Sequence, residues 1–90
     1  MLVKICGIKT IKAANVAVQA GADFIGFVFA PSKRKITPEE AVRIAKTLSK
    51  SVQTVGVFVN ESVENIKQIA ELVDLDVIQL HGDEIGRAHV

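Results

Sequence analysis

Tryptophan and tyrosine are absent from the chain, and cysteine and methionine occur once each. The single cysteine, Cys6, excludes an internal disulfide framework and any cysteine-based metal cluster, and it fits a reducing, cytoplasmic setting. Long apolar runs are lacking. The longest, FIGFVFAP, falls far short of the about 20 residues that span a bilayer. No secretory pattern opens the chain, since Lys4 interrupts the first apolar run and no cleavage-like site follows. Neither sign of charge dominates: 11 Lys and Arg stand against 10 Asp and Glu, interspersed, for a net charge of +1. No nucleic-acid surface and no membrane surface is expected from that balance. Low-complexity segments are missing too.

What is present is apolar. Hydrophobic residues make up 49% of 90 residues, which is rich for one small domain and points to surfaces that meet something else. Four short runs, LVKIC, FIGFVF, QTVGVFV and DVIQL, are dense in Val, Ile and Phe and read as strands. They are nearly continuous rather than alternating, the pattern of parallel strands covered on both faces.

Helical patterns separate them. The first covers about Thr10 to Ala20, with Gly21 as its stop. The second starts at TPEE, where Thr37 is the N-cap, Pro38 the first helical residue and Glu40 the partner in a capping box. Its apolar face is Ala41, Ile44, Ala45 and Leu48. The third starts near Ser62 and places Ile66, Ile69, Ala70 and Val73 on one side. The order is β-α-β-α-β-α-β, and right-handed crossovers make the strands parallel. Two closures fit this order: an open doubly wound sheet, or half of a (β/α)₈ barrel, which typically needs about 250 residues. In both, chemistry belongs to the loops after the strand C-termini, which begin near Cys6, Phe29, Asn60 and His81.

Three strand ends offer side chains for that chemistry. Cys6, followed by Gly7, is either a buried small hydrophobe or a nucleophile or general base, since an ordinary thiol pKa of about 8.5 suits proton abstraction near neutrality. Lys33, Arg34 and Lys35 in PSKRKIT are either a solvated loop or a grip for an anion. Arginine is the residue shaped to hold a carboxylate or phosphate through two bonds. His81, with Gly82 after it, is either a structural histidine or a pocket group. Asp83 and Glu84 read as helix-start acids, Asn60 and Ser62 as turn or cap residues. No phosphate loop of recognised spacing occurs.

Taken together, VKICGI, GADFIGFVFAPSKRKITPEEA, VGVFVN and DVIQLHGDE resemble the N-terminal half of the phosphoribosylanthranilate isomerases of tryptophan biosynthesis, from Val3 to about Glu84. The resemblance implies an α/β fold, the (βα)₃β N-terminal half of a (β/α)₈ TIM barrel with parallel strands. It implies an Amadori rearrangement of N-(5-phosphoribosyl)anthranilate to 1-(2-carboxyphenylamino)-1-deoxyribulose 5-phosphate, with no cofactor and no metal. By position in the motifs, Cys6 matches the catalytic base, Arg34 the group that holds the anthranilate carboxylate, and His81 the pocket wall. The loop carrying Arg34 is a residue shorter than common family versions, so that match rests on KR preceding an apolar residue and Thr. The family's general acid and phosphate site belong to later strands, so the chain is expected to be inactive alone and to self-associate through uncovered surfaces. The parent enzyme is expected to be a cytoplasmic monomer or homodimer.

The last six residues, IGRAHV, continue none of these patterns. They are what ATCGGAAGAGCACACGTC, a sequencing-library adapter string, encodes. The expected organisation is therefore 1–84 as a partial barrel domain and 85–90 as a non-native tail. Two other functions stay open on the residues alone: a non-catalytic, flavodoxin-like module for a small metabolite, and a self-associating structural half-barrel.

Overall fold

The computed structural model describes residues 1–81; the expected boundary at 84/85 and the acids Asp83 and Glu84 lie outside the described residues. Seven elements follow one another: β1 (Lys4–Cys6), α1 (Ile11–Gln19), β2 (Phe24–Val28), α2 (Pro38–Ala45), β3 (Gln53–Val59), α3 (Val63–Val73) and β4 (Val77–His81). The four strands form one parallel sheet in the order β1-β2-β3-β4. That sequential order separates the two closures left open by the periodicity, in favour of the half-barrel that the family resemblance implies. A flavodoxin-like sheet places its first strand inside, between the second and third, whereas a barrel adds each strand to the outer side of the last.

Local chemistry starts each helix, and stops the first, as the sequence indicates. The Thr10 hydroxyl accepts from the Ala13 amide at 3.0 Å, and no acid reaches back to complete a box. At the other end Gly21 takes φ 96°, its amide reaches Val18 O and the Ala22 amide reaches Ala17 O, closing a Schellman motif. Thr37 and Glu40 form the full capping box ahead of α2, with Pro38 at the first helical position. Ser62 caps α3 through the Asn65 amide. One expectation needs correction: α2 ends at Ala45, so Leu48 is not on its face. The Thr47 hydroxyl bonds Ile44 O at 2.7 Å, and the Leu48 amide turns back to Ala45 O, which tightens the chain out of the helix. Leu48 still packs against the core, from the turn.

The core lies between the helices and one face of the sheet. Ile25, Phe27 and Phe58 are completely buried there against Ala14 and Ala17 of α1, Ala41 and Ile44 of α2, and Ile66 and Val73 of α3. Alanine at the helix contacts lets helix and sheet approach closely. Phe29, just past β2, stacks on Phe58 with ring centroids 5.3 Å apart. Coverage of both faces holds for β2 and β3 but not for the outer strands. In β4, Val77 is 39% and Ile78 42% exposed, because among the described residues β4 has a hydrogen-bonded neighbour on one side only.

At the strand N-termini a pattern recurs. Asp23, just before β2, accepts from the Val3 amide at 2.8 Å, and Asp76, just before β4, accepts from the Thr54 amide at 2.8 Å. Each carboxylate ties the start of one strand to its predecessor, so register is set at the end of the sheet away from the candidate site. No helix among the described residues is long and apolar enough to cross a membrane.

Truncating Phe27 to alanine leaves a cavity in the layer that joins all three helices to the sheet. The expected loss is about 3–5 kcal/mol in chemical denaturation. Thr37→Ala removes one cap bond of α2 and costs about 1 kcal/mol. The Glu40 carboxyl is held below its usual 4.5, first by the Thr37 hydroxyl and then by the Thr37 amide. Asn65 and then the Ser62 amide do the same for Glu61. Folded values below unfolded ones mean that this stabilisation is present above pH 4.5 and disappears as pH falls through the folded values. An acid titration of stability is expected to be shallower in Thr37→Ala than in the parent chain.

Candidate active site

Alternation along the strands sorts side chains between two faces. Since Ile25, Phe27 and Phe58 take the helix face, the residues that alternate with them take the opposite, inner face. Register makes the rows explicit: Cys6 pairs with Gly26, Gly26 with Val55 and Val55 with Val77; one step on, Val57 pairs with Gln79 and Val59 with His81. Cys6 and His81 thus share the inner face, at the C-terminal ends of the two outermost strands.

The Cys6 thiol is half-buried and free. It occupies space that its neighbour leaves empty, since a Cβ on Gly26 would lie 2.9 Å from Sγ. The chain turns away directly after it. Gly7 has φ 83°, a left-handed conformation that favours glycine, and its amide and that of Ile8 both donate to Gly26 O. Ile8 is buried and anchors the turn.

Arg34 comes to this turn from the loop after β2. A Cβ on Gly7 would lie 2.4 Å from the Arg34 Cδ and 3.0 Å from its Nη1, so the guanidinium stem lies directly on the glycine that follows Cys6. The loop is held rather than free. Lys35 bridges to Val28, the Ile36 amide donates to Val28 O at 2.9 Å, and the Ile36 side chain is buried. Within it the Arg34 amide bonds the Ser32 hydroxyl at 3.0 Å, and Lys9 from the β1 loop donates to Lys33 O. Lys9, Lys33, Arg34 and Lys35 therefore gather positive charge around one strand end, an arrangement that draws an anion.

The structure thus brings Arg34 onto Gly7, the residue after Cys6, and places His81 on β4. Two side chains the sequence reading passed over connect the sides of the inner face. The Lys4 ammonium donates to Gln79 Oε1, and Gln79 Nε2 lies 2.9 Å from His81 Nε2. A polar residue at each of these positions inside an apolar run was the available signal, with the alternation showing that they share a face. Asn60 takes φ 53° and Ser62 caps α3, as their residue types indicate. The described residues contain no group of three His, Cys, Asp or Glu placed to hold a metal ion. A cavity of about 500 Å³ opens between α2 and α3, lined among others by Lys46, Lys50, Thr54, Asp74 and Asp76. It lies at the strand N-termini, the end of such folds that serves stability rather than chemistry.

Residues 3–89 match the family model for N-(5'-phosphoribosyl)anthranilate (PRA) isomerase. The N-(5'-phosphoribosyl)anthranilate isomerase of Oceanobacillus iheyensis is 58% identical over 84 residues, covering 93% of this chain and 41% of that protein. The crystal structure of phosphoribosyl anthranilate isomerase from Thermotoga maritima superposes with a TM-score of 0.91 at 49% identity, covering 98% of this chain and 45% of that one. A second isomerase structure, in complex with reduced 1-(o-carboxyphenylamino)-1-deoxyribulose 5-phosphate, gives the same TM-score and identity over 47% of its chain. The chain spans less than half the length of these relatives. Their sheet is thereby the one described here, continued, and the chain belongs to the N-(5'-phosphoribosyl)anthranilate isomerase family of tryptophan biosynthesis.

Proposed function

We propose that these residues supply the base and the carboxylate grip of an Amadori isomerisation of N-(5-phosphoribosyl)anthranilate. The observation that carries the reading is the seating of the Arg34 side chain on Gly7. A carboxylate held by that guanidinium lies at the turn made by Gly7, the residue next to Cys6. The ligand in the relative's complex is a carboxyphenylamino sugar phosphate, which presents a carboxylate at one end.

In this reading an acid protonates the furanose ring oxygen, the C1–O bond breaks, and the anilino nitrogen lone pair forms the C1–N double bond of a protonated Schiff base. Cys6, as thiolate, takes the proton from C2. The C2–H electrons form the C1–C2 double bond and the C1–N π electrons return to nitrogen, giving an enolamine that tautomerises to the ketone by gaining a proton at C1 and losing the proton of the C2 hydroxyl. Arg34 holds the anthranilate carboxylate through paired hydrogen bonds, and His81 lines the pocket. The general acid and the phosphate site come from residues outside this chain, on the later strands of the barrel. The 90-residue chain alone therefore turns over no substrate, and its β1 and β4 edges, which no other described strand pairs, with apolar Val77 and Ile78 exposed, drive association. Residues 85–90 are adapter-encoded in this proposal, and any codon choice in the nucleotide sequence other than the adapter's overturns that point.

Joining residues 1–81 to the remaining strands and helices of the bacterial relative is expected to give an active isomerase. In that protein Cys6→Ala should lower kcat by about 10²–10⁴-fold. Arg34→Ala should raise KM by roughly 10–100-fold, the worth of a charged hydrogen-bond pair. Full activity in Cys6→Ala removes the base assignment. For the 90-residue chain, light scattering is expected to show dimers or larger species and the assay no turnover. A monodisperse monomer, or turnover abolished by Cys6→Ala, contradicts the respective statement.

A further inference from the structure

From the hydrogen bonds across the inner face we infer that Lys4 and Gln79 are positioning residues that lock His81 as the neutral Nδ1–H tautomer. A lysine ammonium has three donors and no acceptor. The group that Gln79 turns toward Lys4 is therefore its carbonyl oxygen, Oε1. That orientation leaves Nε2 of the Gln79 amide facing His81 Nε2 at 2.9 Å. An amide nitrogen donates and does not accept, so His81 Nε2 must carry the lone pair. A neutral imidazole with a bare Nε2 holds its proton on Nδ1. Reversing the amide would set its NH₂ against the ammonium, donor to donor. Lys4 thus decides the tautomer of a residue 77 positions away in the chain, through one intermediary.

The geometry makes this a property of the curved sheet. Lys4 is on β1 and Gln79 on β4, the two ends of the sheet, and their contact crosses the inner face. Gln79 and His81 are two residues apart on one strand and so share that face. No described residue bonds His81 Nδ1. The histidine therefore offers a donor, and the ligand group that suits it is an acceptor oxygen, of a hydroxyl, a phosphate or a carboxylate. Only this last step rests on the proposed placement of His81 in the pocket wall; the tautomer does not.

The test is ¹⁵N NMR of the imidazole in the 90-residue chain at a pH of about 8.5, where free imidazole is neutral. Spectra are taken in solution, or by magic-angle spinning if the chain associates. His89→Gln removes the second histidine's signals. The expected spectrum shows Nδ1 protonated over Nε2 by roughly tenfold, the worth of the fixed hydrogen bond. Free histidine favours the opposite form. Lys4→Met should return the ratio toward that of free histidine, Lys4→Arg should preserve it, and Gln79→Glu should reverse it, because a carboxylate accepts from both sides. An Nε2–H tautomer in the parent chain overturns the inference without recourse to any variant, and so does an unchanged ratio in folded Lys4→Met. The readout is independent of turnover, so loss of the isomerase reading and loss of this one are separate results.

Discussion

The burial of Ile25, Phe27 and Phe58 against the three helices sets the phase of the sheet. Along a strand the side chains alternate, and a slip of one residue would send these three large groups to the other face. Each is fully excluded from water, and exposing any one costs roughly 1.5–3 kcal/mol, so the phase has no close competitor. Everything on the inner face is placed by that choice. Cys6, Gly26, Val55 and Val77 form one row of it, and Val57 with Gln79, then Val59 with His81, the rows beyond. The chemistry-bearing groups sit inside because the aromatic and aliphatic ones are committed outside.

Two glycines then decide how closely the site groups approach. Gly26 leaves the volume that the Cys6 Sγ occupies, and Gly7 turns the backbone while leaving its surface open for the Arg34 side chain. The arginine is exposed, yet its loop is tied at Lys35 and Ile36 to the end of β2. An exposed guanidinium on a tethered loop keeps its hydration and its orientation together. Such a group meets an anionic ligand with less ordering still to be done, which is where preorganised sites gain affinity.

Much of the fold was legible in short stretches. Thr37, Pro38 and Glu40 form the capping box that TPEE spells, Gly21 closes a Schellman motif, and Ser62 caps α3. Such features depend on residues within a turn of one another, so no distant partner can override them cheaply. Leu48 shows the limit: its helical spacing was right, but the Thr47 hydroxyl competes for Ile44 O and the helix ends first. The roles of Cys6 and Arg34 are legible through a family resemblance and not through spacing, and the pairing of Lys4 with Gln79 is legible through neither. Nothing in the 75-residue interval between those two indicates that their side chains meet.

By itself the sequence determined the elements, their caps, the apolar face of each helix and the residue types available at each strand end. Those are matters of local propensity and of periodicity, carried by neighbours three or four positions apart or by simple alternation. The periodicity left the strand order open, and the resemblance implied the barrel order that the sheet shows; tertiary structure alone decided that Arg34 lies on the glycine beside Cys6 and that Lys4 reaches Gln79 across the sheet. The physical reason is that these depend on strand pairing and on the curvature of the whole sheet, which arise only when every helix has buried its face at once. A short window of residues contains the preferences but not that shared solution.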